Sequence, residues 1–249
     1  MKVSPILNIL NMYFGYICPM PIIIYHAISN NNLTEAIPLG IFKRHLDFFR
    51  ENKYDIISLH RFNEILRNKE EPRKRNCSIC LTFDDGYEDF FHNAWPLLRD
   101  YRLPATLFII ANRIGQKGYL NLAQIKEMLS SHLISIGSHS MGHGYLPELD
   151  LGQLDYEIKE SKSVLEMKLG CTIDFFSYPW GGFSARIKEL VKDAGYKAAF
   201  TTNQGITRTH RHSDIYCLKR ITMGRKDNYL KFLIKVSGLG YCFSRKIKT

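Results

Sequence analysis

The chain has 249 residues, of which 45% are hydrophobic and 23% are charged, and its formal net charge at pH 7 is +10. This composition is typical of a globular protein with enough apolar residues for a full core. The positive charge favours anionic partners, such as phospholipid headgroups or lipid-linked phosphates. We expect no nucleic-acid partner, because no helix-turn-helix, zinc-finger or aromatic–basic RNA motif is present. Six cysteines include one pair, Cys77 and Cys80, which we interpret as buried thiols rather than part of a disulfide framework.

The two ends of the chain differ in character from the rest. Residues 1–20 are apolar but interrupted by proline and asparagine, which makes them a poor transmembrane helix. Apolar residues between Ile6 and Ile17 fall at helical spacing, so we expect an amphipathic segment packed on the domain or lying on a membrane. The last residues, Ser244 to Thr249, form a basic tail. Together these ends predict peripheral membrane contact.

Localisation is harder to infer from residues 1–20, which carry no convincing small-residue cleavage site. We therefore expect the protein on the cytoplasmic side, peripheral at the inner membrane. The cell-envelope side is the alternative. The oligomeric state is not indicated by the sequence.

From residue 21 onward, predicted strands and helices alternate, which indicates parallel strands joined by right-handed crossovers. Seven or eight such units close more readily into a barrel than into an open sheet, so residues 21–249 are expected to form one α/β barrel domain. In chain order, the predicted strands are Pro21–His26, Asp55–Ser58, Cys77–Leu81, Thr106–Ile110, Leu133–Gly137, Asp174–Tyr178, Lys197–Thr201 and Tyr216–Ile221. The predicted helices are Ile41–Asn52, Leu59–Arg67, Glu88–Asp100, Leu122–Ser130, Gln153–Leu169, Ala185–Ala194 and Asp227–Ser237.

Two adjacent carboxylates, Asp84 and Asp85, follow the third predicted strand and precede Gly86. The carboxyl ends of parallel strands are where ligands bind in α/β folds. Neighbouring side chains on an extended backbone point to opposite faces, so we expect one aspartate to hold a metal and the other to accept a proton. The alternative is an Asp-Gly turn with a helix N-cap.

His139 and His143 follow the fifth predicted strand and are four residues apart. Two histidines at this spacing in a turn or first helical turn can face one point. Neutral imidazoles together with one carboxylate form an open three-ligand set that suits zinc or another divalent first-row ion. Their position at the same end of the barrel as the paired aspartates favours a metal site.

Three motifs together resemble the polysaccharide deacetylase family, also called carbohydrate esterase family 4 or the NodB homology domain. They are Thr82-Phe83-Asp84-Asp85-Gly86, His139-Ser140-Met141-Gly142-His143 and Phe176-Ser177-Tyr178-Pro179-Trp180-Gly181. The similarity runs from about Pro21 to Ile221, and the tyrosine-proline third motif is similar to that of the subgroup acting on exopolysaccharide or lipid-linked sugars. The resemblance implies a distorted (β/α)7–8 barrel in a single domain and metal-dependent removal of an N-acetyl group from a sugar.

The resemblance also implies roles for matching residues. Asp84 would be the general base, and Asp85 would bind the metal beside His139 and His143. The turn after the sixth strand would offer the backbone N–H of Trp180 to a developing oxyanion. A rim aromatic or a sugar-stacking platform is the alternative interpretation of Trp180.

Two departures from the family pattern concern catalysis. Ser177 stands where the family usually carries an arginine, and Leu218-Lys219-Arg220 stands where it usually reads Leu-x-His. We expect Arg220 to orient Asp84 from a different strand. We expect His26, at the end of the first strand, to act as the general acid. A buried, hydrogen-bonded histidine is the alternative for His26.

The sequence therefore predicts a metal-dependent hydrolase that removes N-acetyl groups from an N-acetylhexosamine in a polysaccharide or lipid-linked glycan. The expected cofactor is Zn²⁺, with Ni²⁺, Co²⁺ or Mn²⁺ as alternatives. One rival interpretation is a catalytically inactive carbohydrate-binding relative. Another is a metal-dependent phosphohydrolase, which the two histidines disfavour because Mg²⁺ prefers oxygen ligands.

Overall fold

The computed structural model describes residues 20–31, 35–68, 78–206 and 214–237. The predicted amphipathic segment before residue 20, the basic tail, Cys77, His210 and His212 lie outside these residues. The strands are β1 Ile22–Tyr25, β2 Asp55–Ile56, β3 Ser78–Phe83, β4 Ala105–Ile109, β5 Ile134–Ser138, β6 Phe175–Ser177, β7 Ala198–Gln204 and β8 Leu218–Thr222. The α-helices are α1 Leu39–Glu51, α2 Leu59–Asn68, α3 Trp95–Tyr101, α4 Leu122–Ser130, α5 Leu151–Asp155, α6 Ser161–Leu169, α7 Ala185–Asp193 and α8 Tyr229–Ser237.

Seven of the strands close into a parallel barrel. β1 pairs with β3 on one side and with β8 on the other, and the remaining strands follow in the order β8-β7-β6-β5-β4-β3. The short β2 pairs only with the first two residues of β3, Ser78 and Ile79, and does not take part in closure. The architecture confirms the prediction of a distorted (β/α)7–8 barrel in a single domain.

The strands are buried on both faces, since helices cover the outside of the barrel and side chains fill its inside. In β3, all six residues are buried. Alternate residues of a strand point to opposite sides, so Cys80, Thr82 and Asp84 share one side. Cys80 packs in a cluster with residues of other strands and of α2, namely Ile22, Phe108, Phe175, Phe200, Leu218, Leu59 and Phe62. Thr82 and Asp84 therefore continue an apolar barrel interior into a polar layer at the strand ends.

The long helix predicted over Gln153–Leu169 is present but is not regular. It begins at Leu151, because the Asp150 side chain accepts a hydrogen bond from the Gln153 backbone in a capping box. A π-helical turn, Tyr156–Glu160, separates α5 from α6. A second π-helical turn, Phe90–Ala94, precedes α3. Apolar periodicity does not reveal the π turn in this helix, because the spacing of Leu154, Ile158, Leu165 and Leu169 is also compatible with a regular α-helix.

None of the helices in the described ranges combines the length and the apolar character needed to cross a bilayer.

Candidate metal and catalytic site

A cavity of about 630 Å³ opens at the carboxyl ends of the barrel strands. The residues that the sequence singled out come together here, although they are spread over more than 150 positions of the chain. Six of the seven line the cavity: His26, Asp84, Asp85, His139, His143 and Trp180. The seventh, Arg220, is fully buried beside Asp84.

Asp85, His139 and His143 converge on one point of this cavity. The Nε2 atoms of the two histidines are 3.2 Å apart. Asp85 Oδ1 lies 3.5 Å from His139 Nε2 and 3.4 Å from His143 Nε2. Ligands about 2.0–2.2 Å from a tetrahedral zinc ion are separated from one another by roughly 3.3–3.5 Å. The three atoms therefore have the mutual spacing of one face of such a coordination sphere.

The hydrogen bonding of Asp85 also fits a metal ligand. Its Oδ1 is buried and accepts no hydrogen bond from any group in the described part of the chain. A buried carboxylate oxygen without a hydrogen bond lowers the stability of the folded state unless a cation lies next to it. The donor set of two imidazoles and one carboxylate suits a divalent first-row ion, so these residues fit the metal that the family resemblance implies.

The tautomer of His139 is fixed by a contact behind the site. Its Nδ1–H donates to the Ser177 backbone carbonyl at 2.8 Å, and a carbonyl can only accept. The lone pair is therefore on Nε2, which faces Asp85. Such a hydrogen bond to the second ring nitrogen is typical of metal-bound histidine.

The His143 imidazole is held neutral, as a metal ligand must be. Burial, followed by the neighbouring His139, lowers the pKa of His143 to about 4. At neutral pH, His143 therefore offers an unprotonated ring nitrogen.

Four residues of the site have left-handed backbone conformations, which residues other than glycine rarely adopt. The φ angles are +73° for Asp85, +66° for Ser140, +68° for His143 and +58° for Trp180. Each such residue costs on the order of 1–3 kcal/mol and persists only where the surroundings enforce it. Backbone strain is thus concentrated where the metal ligands and the Trp180 turn meet.

Asp84 lies beside the Asp85–His139–His143 set and is held in a buried polar network. Arg220 donates to both of its carboxylate oxygens, with Nη1 2.8 Å from Oδ1 and Nη2 2.7 Å from Oδ2. Ser177 Oγ donates to Asp84 Oδ2 at 3.1 Å and accepts from Arg220 Nη2 at 2.6 Å. Thr82 Oγ1 accepts from Arg220 Nη1 at 3.2 Å. The two neighbouring aspartates therefore have different surroundings, although the backbone between them is not extended as the sequence reasoning assumed, because β3 ends at Phe83 and Asp85 is left-handed.

The ionisation of Asp84 follows from this network. Burial by itself would raise the pKa of Asp84, but the Arg220 guanidinium, helped by His139, holds it well below its usual range. The guanidinium lies against two aromatic rings, 5.2 Å from the Phe108 centroid and 5.9 Å from that of Phe200. Asp84 is thus a fixed carboxylate, and its Oδ2 is 3.9 Å from His139 Nε2.

His26 and Trp180 lie on the wall of the same cavity. The His26 side chain is only 11% exposed, and its Nε2 is 3.5 Å from Glu35 Oε2. Its Nδ1 is buried without a hydrogen-bond partner among the residues the structure describes. The Trp180 side chain is 69% exposed, and its ring is 5.1 Å from that of His143.

Sequence reasoning missed several groups of the site. Ser177 was noted only as the place of a missing arginine, yet it bonds both members of the Asp84–Arg220 pair. Its small side chain was the available signal, because it leaves space for a guanidinium from another strand. Tyr87, Arg113 and Tyr119 also line the cavity, and no sequence motif marked them.

Comparisons with known proteins identify the family of this chain. The family model for polysaccharide deacetylase matches residues 71–199. YxkH of Bacillus subtilis (strain 168), named as a polysaccharide deacetylase, is 31% identical over 202 residues, which are 81% of this chain and 70% of that protein. The poly-beta-1,6-N-acetyl-D-glucosamine N-deacetylase of Staphylococcus aureus (strain MRSA252) is 23% identical over 226 residues, or 85% of this chain and 76% of that protein.

Solved structures show the same relationship. The Streptococcus pyogenes deacetylase PplD in complex with acetate superimposes with a TM-score of 0.79 at 26% identity, covering 88% of this chain and 98% of that one. The family model covers more than half of the chain, and the same family appears by sequence and by structure. This chain therefore belongs to the polysaccharide deacetylase family.

Proposed function

We propose that this protein is a metal-dependent de-N-acetylase acting on an N-acetylhexosamine within a polysaccharide or lipid-linked glycan. The observation that carries the proposal is the Asp84 carboxylate, fixed by Arg220 3.9 Å from a ligand nitrogen of the Asp85–His139–His143 set. Amide hydrolysis needs this combination of a metal site and an adjacent proton acceptor. The name of the S. aureus relative makes polymeric β-1,6-N-acetylglucosamine the first substrate to test.

We propose Zn²⁺ as the cofactor, with Ni²⁺, Co²⁺ or Mn²⁺ as alternatives, held by Asp85, His139 and His143. When bound, such an ion lowers the pKa of a coordinated water from ~15.7 to about 7 and polarises a carbonyl oxygen. Imidazole suits these ions better than it suits Mg²⁺, which supports the assignment.

The remaining chemistry is assigned to side chains and backbone of this chain. Asp84 is ionised and takes up the proton of the attacking water. His26, on the same cavity, donates a proton to the leaving nitrogen, without which an amine is expelled slowly. The backbone N–H of Trp180 stabilises the oxyanion. Arg220 is a positioning residue, because it contacts Asp84 rather than the cavity.

Acetate release tests the proposal directly. Purified protein is incubated with poly-β-1,6-N-acetylglucosamine and with lipid-linked N-acetylhexosamines, before and after metal removal by a chelator. We expect acetate release that chelation abolishes and added Zn²⁺ restores, and no release by Asp85→Ala. Binding of the glycan without any release by the zinc-loaded protein would instead support the inactive carbohydrate-binding relative. Release of phosphate from phosphorylated sugars would support the phosphohydrolase.

Neither rival is favoured by the site. The arginine missing from the third motif is supplied by Arg220, so the pattern that suggested lost catalysis has a compensating group. Two histidines facing one carboxylate oxygen are a poor Mg²⁺ site, which disfavours phosphate chemistry.

We also propose that the protein associates peripherally with an anionic membrane, on the cytoplasmic side. Besides the terminal segments, α8 supports this: Leu230 and Ile234 are exposed, next to exposed Lys226 and Lys231. Apolar side chains combined with basic ones are typical of surfaces that bind anionic lipid. Flotation with phosphatidylglycerol vesicles should show binding at low salt that weakens at high salt. Absence of binding at low salt would contradict the proposal, and neutral vesicles serve as the control.

A further inference from the structure

The two proposed histidine ligands are the ends of one short loop, His139 to His143, that carries two strained residues. Both Ser140 and His143 are left-handed. One edge of the loop is bonded to the residues after β4: Ala111 N–H donates to the Ser140 carbonyl and Asn112 N–H donates to the Met141 carbonyl, both at 3.1 Å. These bonds use the carbonyl groups of Ser140 and Met141. The N–H groups of Met141 and Gly142 need acceptors on the other side of the loop.

The N–H groups on the other edge are bound by one carboxylate. Met141 N–H and Gly142 N–H both donate to Glu157 Oε2, at 3.0 and 2.9 Å. The approach is close: a Cβ at Gly142 would lie 3.1 Å from Glu157 Oε1. A carboxylate that accepts two backbone N–H groups forms charge-assisted hydrogen bonds, which are stronger than neutral ones.

Glu157 lies in the π-helical turn between α5 and α6, and this turn is itself fastened to the barrel. Tyr196 Oη and Ser161 Oγ both donate to the Ile158 carbonyl at 3.0 Å. Ser161 Oγ also bonds Ser138 Oγ, at 2.9 Å, in the residue before His139. Single π turns in longer helices occur frequently at functional sites. Here the turn places one carboxylate opposite the ligand loop.

We propose that Glu157 is a positioning residue that preorganises His139 and His143 for the metal, an inference that rests on the metal site of the proposed function. Without the carboxylate, the N–H groups of Met141 and Gly142 lose their acceptor. The loop then loses the contact that holds the segment between the two left-handed residues, Ser140 and His143, in its strained conformation. The free loop then samples more conformations, and metal binding has to order them. Groups that orient metal ligands typically change metal affinity by about 10–100-fold when removed.

The test measures zinc affinity rather than activity. Metal-free protein is titrated with Zn²⁺ in competition with a chromophoric chelator, and the Kd is compared among the wild type and variants. Glu157→Ala should bind zinc about 10–100-fold more weakly. Glu157→Gln keeps a carbonyl oxygen that can accept both N–H groups, so it should recover most of the affinity. Glu160→Ala, on the same turn but exposed, is the matched control and should bind like the wild type.

The thermal stability of the metal-free proteins separates positioning from a structural role. If Glu157 only supported the fold, Glu157→Ala would melt at a lower temperature while its zinc Kd stayed within about threefold of the wild type, and that result would overturn the inference. Should Glu157→Ala not fold, Glu157→Asp decides, because its shorter side chain withdraws the carboxylate. A wild type that does not bind zinc would refute the proposed zinc site and this inference together. Equal zinc affinities of the wild type and Glu157→Ala would refute only the inference.

Discussion

Arg220 on β8 and Asp84 at the end of β3 form a bidentate ion pair inside the barrel, reaching past β1, which lies between their strands. The side chains are 0% and 1% exposed. Removing two charges from water is costly, and their attraction offsets this only when the geometry is good and the remaining hydrogen-bonding groups are satisfied. The arginine meets that condition, because Thr82, Ser177 and the Thr201 carbonyl accept its other N–H groups.

The first prediction is that the two charges are strongly coupled. Arg220→Met leaves a buried carboxylate without its partner and should lower the free energy of unfolding by about 3–5 kcal/mol. Adding Asp84→Asn removes that unpaired charge, so the double variant should be more stable than Arg220→Met. Urea unfolding of the metal-free proteins completes the double-mutant cycle. The exposed pair of Lys43 and Asp47 is the control, since Lys43→Met should cost no more than about 1 kcal/mol.

A coupling energy below about 1 kcal/mol between Arg220 and Asp84 would contradict this account, because the pair would then behave like one on the surface.

The second prediction separates the two neighbouring aspartates. Asp85→Ala removes one of three ligands and should abolish stoichiometric zinc binding and turnover together. Asp84→Asn should retain zinc but lose about 10²–10⁴-fold in turnover, the usual contribution of general-base catalysis. Metal analysis and acetate release on the same preparations check both halves. Full zinc occupancy in Asp85→Ala, or zinc loss in Asp84→Asn, would reverse the assigned roles.

Much of the architecture could be predicted because it depends on local patterns. Short apolar runs, alternating with amphipathic segments, gave all eight strands within a few residues. Asp84, Asp85, His139 and His143 could be placed at one end of the barrel because strand-end motifs converge there in parallel folds. The structure brings them together as that reasoning expects.

What could not be predicted depends on contacts between distant residues. The sequence suggested that Arg220 orients Asp84, but the parts played by Ser177 and Thr82 required the barrel's closure and register. The contact between Glu157 and the ligand loop depends on a π turn, which could not be recognised from the spacing of the apolar residues in this helix. The left-handed backbone at Asp85 and His143 could not be predicted either, because neither residue is a glycine.

The third prediction concerns stability at acidic pH and rests on His45. Its buried ring stacks on Phe232 with centroids 3.8 Å apart, and Nδ1 bonds Tyr25 Oη at 3.0 Å. Burial lowers the pKa of His45 to about 4. The unfolded chain, with a histidine pKa of about 6.5, therefore binds this proton first as pH falls, and stability decreases between about pH 6.5 and 4. The loss should reach about 3 kcal/mol by pH 4.

His45→Gln tests this, because the glutamine carbonyl can still accept from Tyr25 Oη but does not titrate. The comparison is the slope of the unfolding free energy against pH, measured by urea unfolding from pH 7 to pH 4, and not the absolute stability. The variant should show a flatter slope than the wild type. Parallel slopes would show that His45 does not contribute to acid sensitivity.

The last prediction concerns the proton donor. His26 is the described histidine that lines the cavity beside Asp84 without belonging to the proposed ligand set. His26→Ala should reduce turnover by about 10²–10⁴-fold, because the leaving nitrogen then departs without an acid. Zinc content and melting temperature should stay at wild-type values, since the side chain contacts none of the proposed ligands at bonding distance. His92→Ala, a change at an exposed histidine, is the matched control.

If His26→Ala turns over like the wild type, His26 has no part in the reaction, and the proton must come from elsewhere. His210 and His212, outside the described residues, would then be the next to substitute.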